Sequence, residues 1–400
     1  MKPKLNICIV GGGNSAHSLI PLLSSNGHNI YLLTRKPELW STKIIMEYTD
    51  ENGYLIEKLE GQLCKISANP AEVVSISDVV ILCLPVSKYR LMLNKIAPYI
   101  DKTRKIFVGT IYGQGGFNWM MEQIIQDYSL NNVSYFAIGL VPWITRTKQY
   151  GYIGINYGSK YTNVVAVKPA SDFDELNYNL LNDICYNYFK KGLFKQSSTF
   201  LALTLSVDNQ IIHLSRLYGL YLQFGGHWDK IENVPYFYRD FDEKSADIMR
   251  ALDADYCKIR NKIKEEFPQY DFSYMLDYLS LERLSYNSAN TDIRESFINS
   301  STLVQIPTPV IKAEDGQYIF DKNHRFFTDD LYYGLVIAKW FAEHLNISTP
   351  MLNEIINWAQ DFIGDTVMVN NKLITPQNKQ DFLNGNPDVY EYSQFLDYIF

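Results

Sequence analysis

The sequence contains few cysteines, no long apolar run and no run of basic residues. Its five cysteines are scattered without a Cys-x-x-Cys pair, which argues against a disulfide framework and for a reducing compartment. No stretch of about 18 apolar residues occurs, so neither a membrane span nor a signal peptide is expected. The net charge of −7 argues against nucleic acid as a partner. We therefore expect a soluble cytoplasmic protein with no membrane partner and no metal site.

Composition and length indicate a globular protein with two domains. Apolar residues make up 46% of the chain and charged residues 20%, as in folded proteins. A chain of 400 residues is too long for one ordinary core. Because the pattern changes near residue 196, we predict one domain over 1–196 and a second over 197–400.

The first half alternates short strand-like and helix-like segments. This alternation predicts a parallel sheet with helices on both faces, which is a doubly wound α/β domain. The segment "GYIGINYGSKYTNVVAV" (151–167) has two β-rich runs around Tyr-Gly-Ser, which predicts an antiparallel hairpin added to the sheet. The predicted strands cover 6–10, 28–35, the later part of 71–85, 105–111 and 134–142, and the predicted helices cover 15–27, 86–100 and 120–128.

The second half has a mostly helical pattern. Thr349 at an N-cap, Pro350 in the first turn and Gly364 at the end delimit its last predicted helix. We therefore predict an all-α C-terminal domain. Its helices are predicted over 199–222, 243–267, 272–285, 329–346 and 349–364.

The segment "GGGNSA" (11–16) fits the pattern G-x-G-x-x-A between a strand and a helix. Gly11 allows the tight turn, Gly13 lets a pyrophosphate approach the backbone, and Ala16 lets the helix pack against the sheet. Asn14 and Ser15 open the helix, whose free N–H groups would face the phosphates. A structural glycine turn is the simpler alternative. The βαβ context favours a dinucleotide-binding, Rossmann-type domain.

The end of the second predicted strand indicates which dinucleotide binds. An NAD site usually has an acid there, whereas this strand ends in Thr34, Arg35 and Lys36. Thr34 can donate a hydrogen bond, and Arg35 can bind a 2′-phosphate in bidentate fashion. The sequence therefore favours NADPH over NADH, with a solvated pair of cations as the alternative. Leu84 and Pro85, which end a further strand, are expected to lie against the cofactor.

His213 is the strongest candidate for an acid or base among the six histidines. It follows Asn209 by four residues, so on a helix both side chains share a face, where the amide could orient a ring or a carboxamide. A downstream segment holds Arg325, Asp329 and Asp330. One of these carboxylates could pair with His213, and Arg325 could bind a substrate carboxylate. A structural histidine and helix-capping acids are the alternatives.

Five motifs, taken in order, resemble those of the opine dehydrogenases, a family that pairs a Rossmann domain with an all-helical C-terminal domain. The G-Q-G-G-F-x-W and P-W-x-x-R stretches look most like the bacterial branch that makes staphylopine-type metallophores. The resemblance covers nearly the whole chain except about 225–320. The motifs are the glycine-rich N-terminus, "GTIYGQGGFNWM" (109–120), "GLVPWITRTKQYG" (139–151), "NQIIH" (209–213) and "HRFFTDDLYYGL" (324–335).

The resemblance implies roles for individual residues. The catalytic His-Asp pair of the family falls on His213 and Asp330, and its substrate-binding arginine falls on Arg325. This sequence departs from the family at Leu214, where a proline is common. Further candidates for substrate contacts are Arg146, Trp143 and Asn209.

The reaction implied by the resemblance is an NADPH-dependent reductive condensation. An amine-bearing amino acid forms an imine with a 2-oxo acid such as pyruvate, and hydride from NADPH reduces the imine carbon. The amine could be a nicotianamine-like metallophore intermediate. His213 is expected to act as general acid/base, and Arg325 and Arg146 to hold carboxylates. A cleft that closes over the substrates would exclude water.

Two other functions are compatible with the sequence. One is an NADP-dependent ketone reductase of the two-domain ketopantoate reductase type, and the other is a non-enzymatic NADPH-binding sensor. The sequence leaves open the amine, the 2-oxo acid and the product stereochemistry. It also leaves open the oligomeric state, for which a homodimer is one option.

Overall fold

The computed structural model describes residues 2–50, 52–206, 208–300, 303–304, 306–374 and 384–390. The chain divides into two compact units. Unit 1 comprises Met1–Leu203 with Leu284–Asn287, and unit 2 comprises Thr204–Arg283 with Ser288–Phe400. No helix in the described ranges is long and apolar enough to cross a membrane.

Unit 1 is built on a sheet of eleven described strands. The strands are β1 (Asn6–Val10), β2 (Asn29–Leu33), β3 (Lys43–Thr49), β4 (Leu55–Ser67), β5 (Val79–Leu82), β6 (Ile106–Thr110), β7 (Val133–Ile138), β8 (Trp143–Gln149), β9 (Ile153–Ser159), β10 (Thr162–Lys168) and β11 (Leu193–Ser197). Their spatial order is β11-β10-β7-β6-β5-β1-β2-β4-β3-β9-β8. The six neighbouring strands from β7 to β4 are mutually parallel.

The central strands β5, β6 and β7 are buried over their whole length, as expected for parallel strands covered on both faces. The predicted doubly wound, Rossmann-type sheet is therefore confirmed. The helices before residue 206 are α1 (Asn14–Ser25), α2 (Tyr89–Ile96), α3 (Phe117–Tyr128), α4 (Phe173–Leu176), α5 (Asn182–Ile184), α6 (Tyr186–Phe189) and α7 (Phe200–Leu205), with a π-helical turn over Asn177–Leu181.

The added hairpin is present, but the prediction that it spans 151–167 is wrong. The antiparallel pair is β8 and β9, which meet at a turn where Gly151 has a φ of +70° and Tyr152 N donates to Gln149 O at 3.0 Å. β10 pairs instead with β7 and β11. Because β3 and β8 already occupy both edges of β9, no edge is left there for β10.

The sequence prediction also missed β3 and β4, which pair antiparallel. The first half of β4 is almost entirely exposed, and its apolar and charged side chains do not alternate. A strand without a buried face lacks the two-residue apolar period on which the prediction depended.

Unit 2 is mostly helical, which confirms the predicted class of the C-terminal domain. It also contains a small sheet of order β12-β14-β13 and a two-stranded ladder, β15-β16. The helices after residue 206 are α8 (Asn209–Phe224), α9 (Glu243–Glu266), α10 (Tyr278–Tyr286), α11 (Ile293–Ile298), α12 (Arg325–Thr328), α13 (Val336–His344) and α14 (Pro350–Ile363), and the strands are β12 (His227–Trp228), β13 (Val310–Lys312), β14 (Tyr318–Phe320), β15 (Met368–Val369) and β16 (Lys372–Leu373).

Two of the predicted helices are not continuous. The segment 199–222 is split into α7 and α8, because the Asp208 carboxylate accepts a hydrogen bond from Asn209 N and caps a new helix. The segment 329–346 begins with a π-helical turn over Leu331–Leu335 and becomes α-helical only in α13. The two irregularities lie close to His213 and Asp330, respectively.

Candidate active site

The glycine loop of unit 1 has the geometry of a phosphate cradle. Gly11 has a φ of +110°, and a Cβ there would lie 2.5 Å from the carbonyl oxygen of Cys83, so only glycine fits. Gly13 is exposed at the N-terminus of α1, and no heavy atom lies within 4 Å of the position its Cβ would take. Ala16 is fully buried against the sheet. The loop therefore fits the pyrophosphate of a dinucleotide, which could approach the free N–H groups of α1.

The β8–β9 hairpin braces this loop within unit 1. The Asn14 side-chain oxygen accepts hydrogen bonds from Thr147 N at 3.0 Å and Thr147 Oγ1 at 2.7 Å. His17 Nδ1 donates to Gly13 O at 2.9 Å, and His17 Nε2 accepts from Gly151 N at 2.8 Å. Burial lowers the pKa of His17, which matches this neutral tautomer. His17 is thus occupied in holding the loop.

The other predicted cofactor residues lie at the same edge of the sheet. Thr34 is buried at the end of β2, whereas Arg35 and Lys36 are exposed and form no ion pair with any residue that the structure describes. Leu84 is half-buried and Pro85 exposed, just beyond the end of β5. Because β5 and β2 flank β1, all five follow neighbouring parallel strands at their carboxyl ends, where dinucleotides bind in such sheets.

In unit 2 the structure joins two residues that are 117 positions apart in the sequence. His213 Nδ1 lies 2.6 Å from Asp330 Oδ2, and both side chains are buried. The pairing acid is thus Asp330, not its neighbour Asp329. Phe326 stacks on the imidazole at a centroid distance of 3.6 Å, and Phe237 meets it edge-on at 5.6 Å. The ring is therefore fixed in position and orientation.

Burial favours the uncharged form of each partner. It raises the pKa of Asp330 to about 8, against the opposing effect of Arg325. It lowers the pKa of His213 well below its usual value, and Arg325 lowers it further. Because one hydrogen bond joins the two groups, they titrate as a unit, and burial favours the form of that unit that retains a proton without net charge. Such a pair can act as a general acid near neutral pH.

A π-helical turn places Asp330 against α8. Asp330 directly precedes this turn, and Leu335 N donates to Asp330 O at 2.9 Å across five residues. Within the turn, a Cβ on Gly334 would overlap the side chain of Gln210 on α8. The absence of a side chain at Gly334 thus lets the turn approach the helix that carries His213. Single π-helical turns are frequent at functional sites.

The remaining residues predicted to contact substrate range from exposed to buried. Arg325 opens α12, is exposed, and forms no ion pair among the described residues. Asn209 is half-buried one turn before His213 on α8, and Arg146 is exposed on β8 of unit 1. Trp143 is a correction to the sequence prediction. It is buried in the core of unit 1, and its Nε1 donates to Ile184 O at 3.0 Å, so the ring packs in the core and is not available to a substrate.

The chain is similar to known dehydrogenases over most of its length. Residues 196–363 match the family described as "NAD/NADP octopine/nopaline dehydrogenase, alpha-helical domain", and residues 6–111 match "NADP oxidoreductase coenzyme F420-dependent". Octopine dehydrogenase of Mizuhopecten yessoensis is 26% identical over 386 residues, which is 92% of each chain. Residues 196–363 thus match the helical domain of that family, and the chain as a whole is similar to opine dehydrogenases. Like these homologues, the chain is an oxidoreductase that acts on CH–NH groups.

Solved structures of the family share the fold. A structure of octopine dehydrogenase with NADH and pyruvate superposes with a TM-score of 0.79 at 22% identity, covering 98% of this chain and 97% of that one. A structure of yersinopine dehydrogenase with NADP+ superposes with a TM-score of 0.64 at 15% identity, covering 90% and 92%. Octopine and yersinopine dehydrogenase therefore both have the fold seen here.

Sequence reasoning missed one residue at the centre of the site. The Tyr238 hydroxyl lies 3.1 Å from His213 Nε2, opposite the bond to Asp330. Tyr238 belongs to the stretch 225–320, for which the sequence offered no recognisable motif. It stands outside the helices and strands, so neither periodicity nor capping could single it out among 30 tyrosines. Only the fold shows that it faces His213.

Proposed function

We propose that this chain catalyses the NADPH-dependent reductive condensation of an amine-bearing amino acid with a 2-oxo acid, of which pyruvate is the first candidate. The observation that carries the proposal is the buried pair His213–Asp330 with the exposed cation Arg325 five residues before the aspartate. A proton donor beside a carboxylate-binding group is what the condensation of a 2-oxo acid with an amine requires. Octopine dehydrogenase, which shares the fold, has been solved with NADH and pyruvate.

The residues of unit 2 divide the chemistry between them. Arg325 would hold the carboxylate of the 2-oxo acid, since its guanidinium has no competing ion pair among the described residues. The His213–Asp330 pair would supply the proton needed to expel water from the carbinolamine and form the imine. The stacked ring of Phe326 prevents His213 from turning away. The nicotinamide, when bound, supplies the hydride.

For the cofactor we propose NADPH in preference to NADH. The glycine loop fits a pyrophosphate with either cofactor, so the choice depends on the end of β2. There Arg35 and Lys36 are exposed cations without an ion pair in the described chain, which suits a 2′-phosphate. Within the same fold, yersinopine dehydrogenase has been solved with NADP+ and octopine dehydrogenase with NADH.

The amine is proposed by class only. An amino acid with a free amino group is the first class, and a nicotianamine-like metallophore intermediate is the second. The second is supported by the motifs "GQGGFNW" (113–119) and "PWITR" (142–146). The side chains at the site do not favour one class over the other.

The experiment combines cofactor oxidation with product analysis. Purified protein, NADPH and pyruvate are incubated with a panel of amino acids and histidine-derived amines, and products are identified by mass spectrometry. We expect amine-dependent NADPH oxidation and a secondary amine whose mass equals the sum of both substrates minus one oxygen atom. NADPH oxidation by pyruvate alone would instead indicate a ketone reductase. Tight NADPH binding without turnover of any substrate mixture would indicate a sensor.

A matched variant connects the activity to the site. His213→Ala should lower kcat by about 10²–10⁴-fold, the usual range for a lost general acid, while NADPH affinity stays within twofold. NADPH affinity should be retained because the cofactor cradle lies in unit 1 and His213 in unit 2. Unchanged turnover in this variant would remove His213 from the mechanism.

A further inference from the structure

His213 has one edge through which a proton can leave. Its Nδ1 is bonded to Asp330, its face is covered by Phe326, and Phe237 closes a further side. The residue is only 1% exposed. The remaining nitrogen, Nε2, faces the Tyr238 hydroxyl at 3.1 Å. A proton passed outward by His213 therefore meets Tyr238 first.

The position of Tyr238 is fixed from two sides. Its ring packs between Phe237 and Phe297, with centroid distances of 4.9 and 5.5 Å, and is 6% exposed. The buried guanidinium of Arg216, one turn after His213 on α8, donates to Phe237 O at 3.0 Å.

Arg216 also donates to Tyr236 O at 3.2 Å and to Asp240 O at 2.7 Å. The carbonyl groups on both sides of Tyr238 are therefore tied to the helix that carries His213. The short distance between Tyr238 and His213 follows from this attachment, so it is a property of the local fold.

We propose that Tyr238 is the third member of a proton relay, Asp330–His213–Tyr238, and that its hydroxyl delivers the proton to the substrate. The inference rests on the proposed function. In the condensation the Tyr238 O–H bond breaks as its proton passes to the hydroxyl oxygen of the carbinolamine. The carbinolamine C–O bond breaks, water leaves, and the nitrogen lone pair forms the C=N bond. At the same time Nε2–H of His213 reprotonates the tyrosine oxygen, and the proton held by Asp330 passes to His213 Nδ1, which leaves a neutral imidazole and a carboxylate.

The relay consumes one proton for each product, which the buried pair supplies and solvent restores. The overall condensation of a neutral amine, a 2-oxo acid and NADPH also takes up one proton. No oxidant or metal is required for this step, because the C–O bond is exchanged for a second C–N bond and protons move, with no change in the oxidation state of the carbon.

Several other groups act on the pair electrostatically, and a pH profile must account for them. Arg325 opposes protonation of His213 and of Asp330, and Asp208 at the start of α8 favours it at His213. His324 has a pKa lowered to about 4, chiefly by burial, so it is neutral above pH 5. The buried Tyr256 stays protonated, because burial raises its pKa. Within the pH range of an assay, neither His324 nor Tyr256 thus changes its charge.

The test compares Tyr238→Phe with Tyr278→Phe. Tyr278 is also 6% exposed, packs on the same Phe297 and bonds through its hydroxyl to Ser296, so it controls for the loss of a buried phenol. In single turnover with NADPH, pyruvate and the best amine, Tyr238→Phe should lower the rate about 10²-fold at unchanged NADPH affinity. Tyr278→Phe should stay within threefold of wild type. A loss below threefold in Tyr238→Phe, or an equal loss in both variants, overturns the relay.

Two further measurements keep the test decisive. In mixtures of H₂O and D₂O, a plot of the wild-type rate against the fraction of D₂O should be curved, since two protons move together. A straight line would overturn the relay, and this test does not depend on whether Tyr238→Phe folds. In the protein without cofactor, the ¹⁵N resonance of His213 Nε2 should shift in Tyr238→Phe but not in Tyr278→Phe. An unshifted resonance contradicts the contact. If wild type yields no secondary amine, the proposed function fails, while the NMR result still decides the contact.

Discussion

At the scale of single residues, the reactive feature is a proton shared in a dry environment. Neither an imidazolium nor a carboxylate is well solvated when buried, so the pair favours the form with no net charge, which retains the proton. Arg325 lowers the pKa of both groups and so opposes the extra proton, but burial has the larger effect on Asp330. The result is an acid that still carries its proton near pH 7, unlike an exposed aspartate.

The pH dependence follows from this raised pKa. Since the pKa of Asp330 is about 8, the proton is present below pH 8 and lost above it. We expect the rate of condensation to fall as pH rises through 8. The rate of the reverse oxidation should rise over the same interval, because that direction requires the deprotonated His213–Asp330 pair as a base. The measurement is kcat/KM in both directions from pH 6 to 10.

Asp330→Asn separates this titration from that of the amine substrate. The amide can still hydrogen-bond to His213 but has no proton to lose in this range. The ratio of wild-type to variant rates cancels the rising fraction of free amine, so it should fall above pH 8. A flat ratio would assign the titration to another group.

Arg35 offers a second prediction at this scale. Removal of an exposed guanidinium from a 2′-phosphate costs a charge-assisted hydrogen bond, so Arg35→Ala should weaken NADPH about tenfold. NADH affinity should change less than twofold, because NADH has no 2′-phosphate. Fluorescence titration measures both dissociation constants, and Lys95→Ala removes one exposed charge from the same unit as a control. Equal effects on the two cofactors would reject the proposed role of Arg35.

At the scale of elements, the π-helical turn after Asp330 links the packing of unit 2 to its chemistry. Gly334→Ala places a Cβ where the Gln210 side chain lies, so the turn must move away from α8. We expect a loss of about 1–3 kcal/mol in the free energy of unfolding, as for other overpacked sites, together with a lower kcat. Denaturant unfolding and steady-state kinetics provide the two measurements.

A second substitution should relieve this strain. Gln210→Ala removes Cγ, which would lie 2.1 Å from the new methyl group of Gly334→Ala, but leaves Cβ at 2.7 Å, so stability and kcat should both recover in part. If the double variant is as impaired as the sum of the single ones, the steric explanation is wrong.

Sequence patterns predicted many elements with a buried face, and they failed at a local helix cap and where strand pairing was decided by distant residues. β1, α1 and β2 were found because apolar periods and glycines are local signals. The break between α7 and α8 was missed because apolar residues recur at helical spacing on both sides of Asp208. The hairpin was assigned to "YGS" (157–159) because no local signal shows that β3 already borders β9.

At the scale of the whole molecule, the site residues predicted from the sequence lie in recognisable motifs, whereas Tyr238 lies in none. His213, Arg325 and Asp330 were found through motifs shared with a family, although the choice between Asp329 and Asp330 required the structure. Tyr238 could not be found, since its contact with His213 joins a helix to an irregular segment that is held by Arg216. Contacts of this kind depend on packing between distant segments, which has no sequence period.

Alanine substitutions at Gly11 and Gly13 should distinguish the effect of the glycine loop on stability from its effect on cofactor binding. Gly11→Ala forces an alanine to a φ of +110° and against the Cys83 carbonyl, so it should lower the Tm of the cofactor-free protein. Gly13→Ala meets no atom within 4 Å and keeps an ordinary φ of −83°, so it should cost less than about 1 kcal/mol. Its methyl group nevertheless occupies the space through which a pyrophosphate approaches α1.

The readout is the thermal shift produced by NADPH. In wild type, NADPH at about 100 times its Kd should stabilise the folded state by about 2.7 kcal/mol. Gly13→Ala should keep the wild-type Tm without cofactor and lose most of this shift. Gly11→Ala should start from a lower Tm. Should Gly13→Ala retain the full NADPH shift, the phosphates do not approach α1 through this loop, and the cofactor must be placed elsewhere on the sheet.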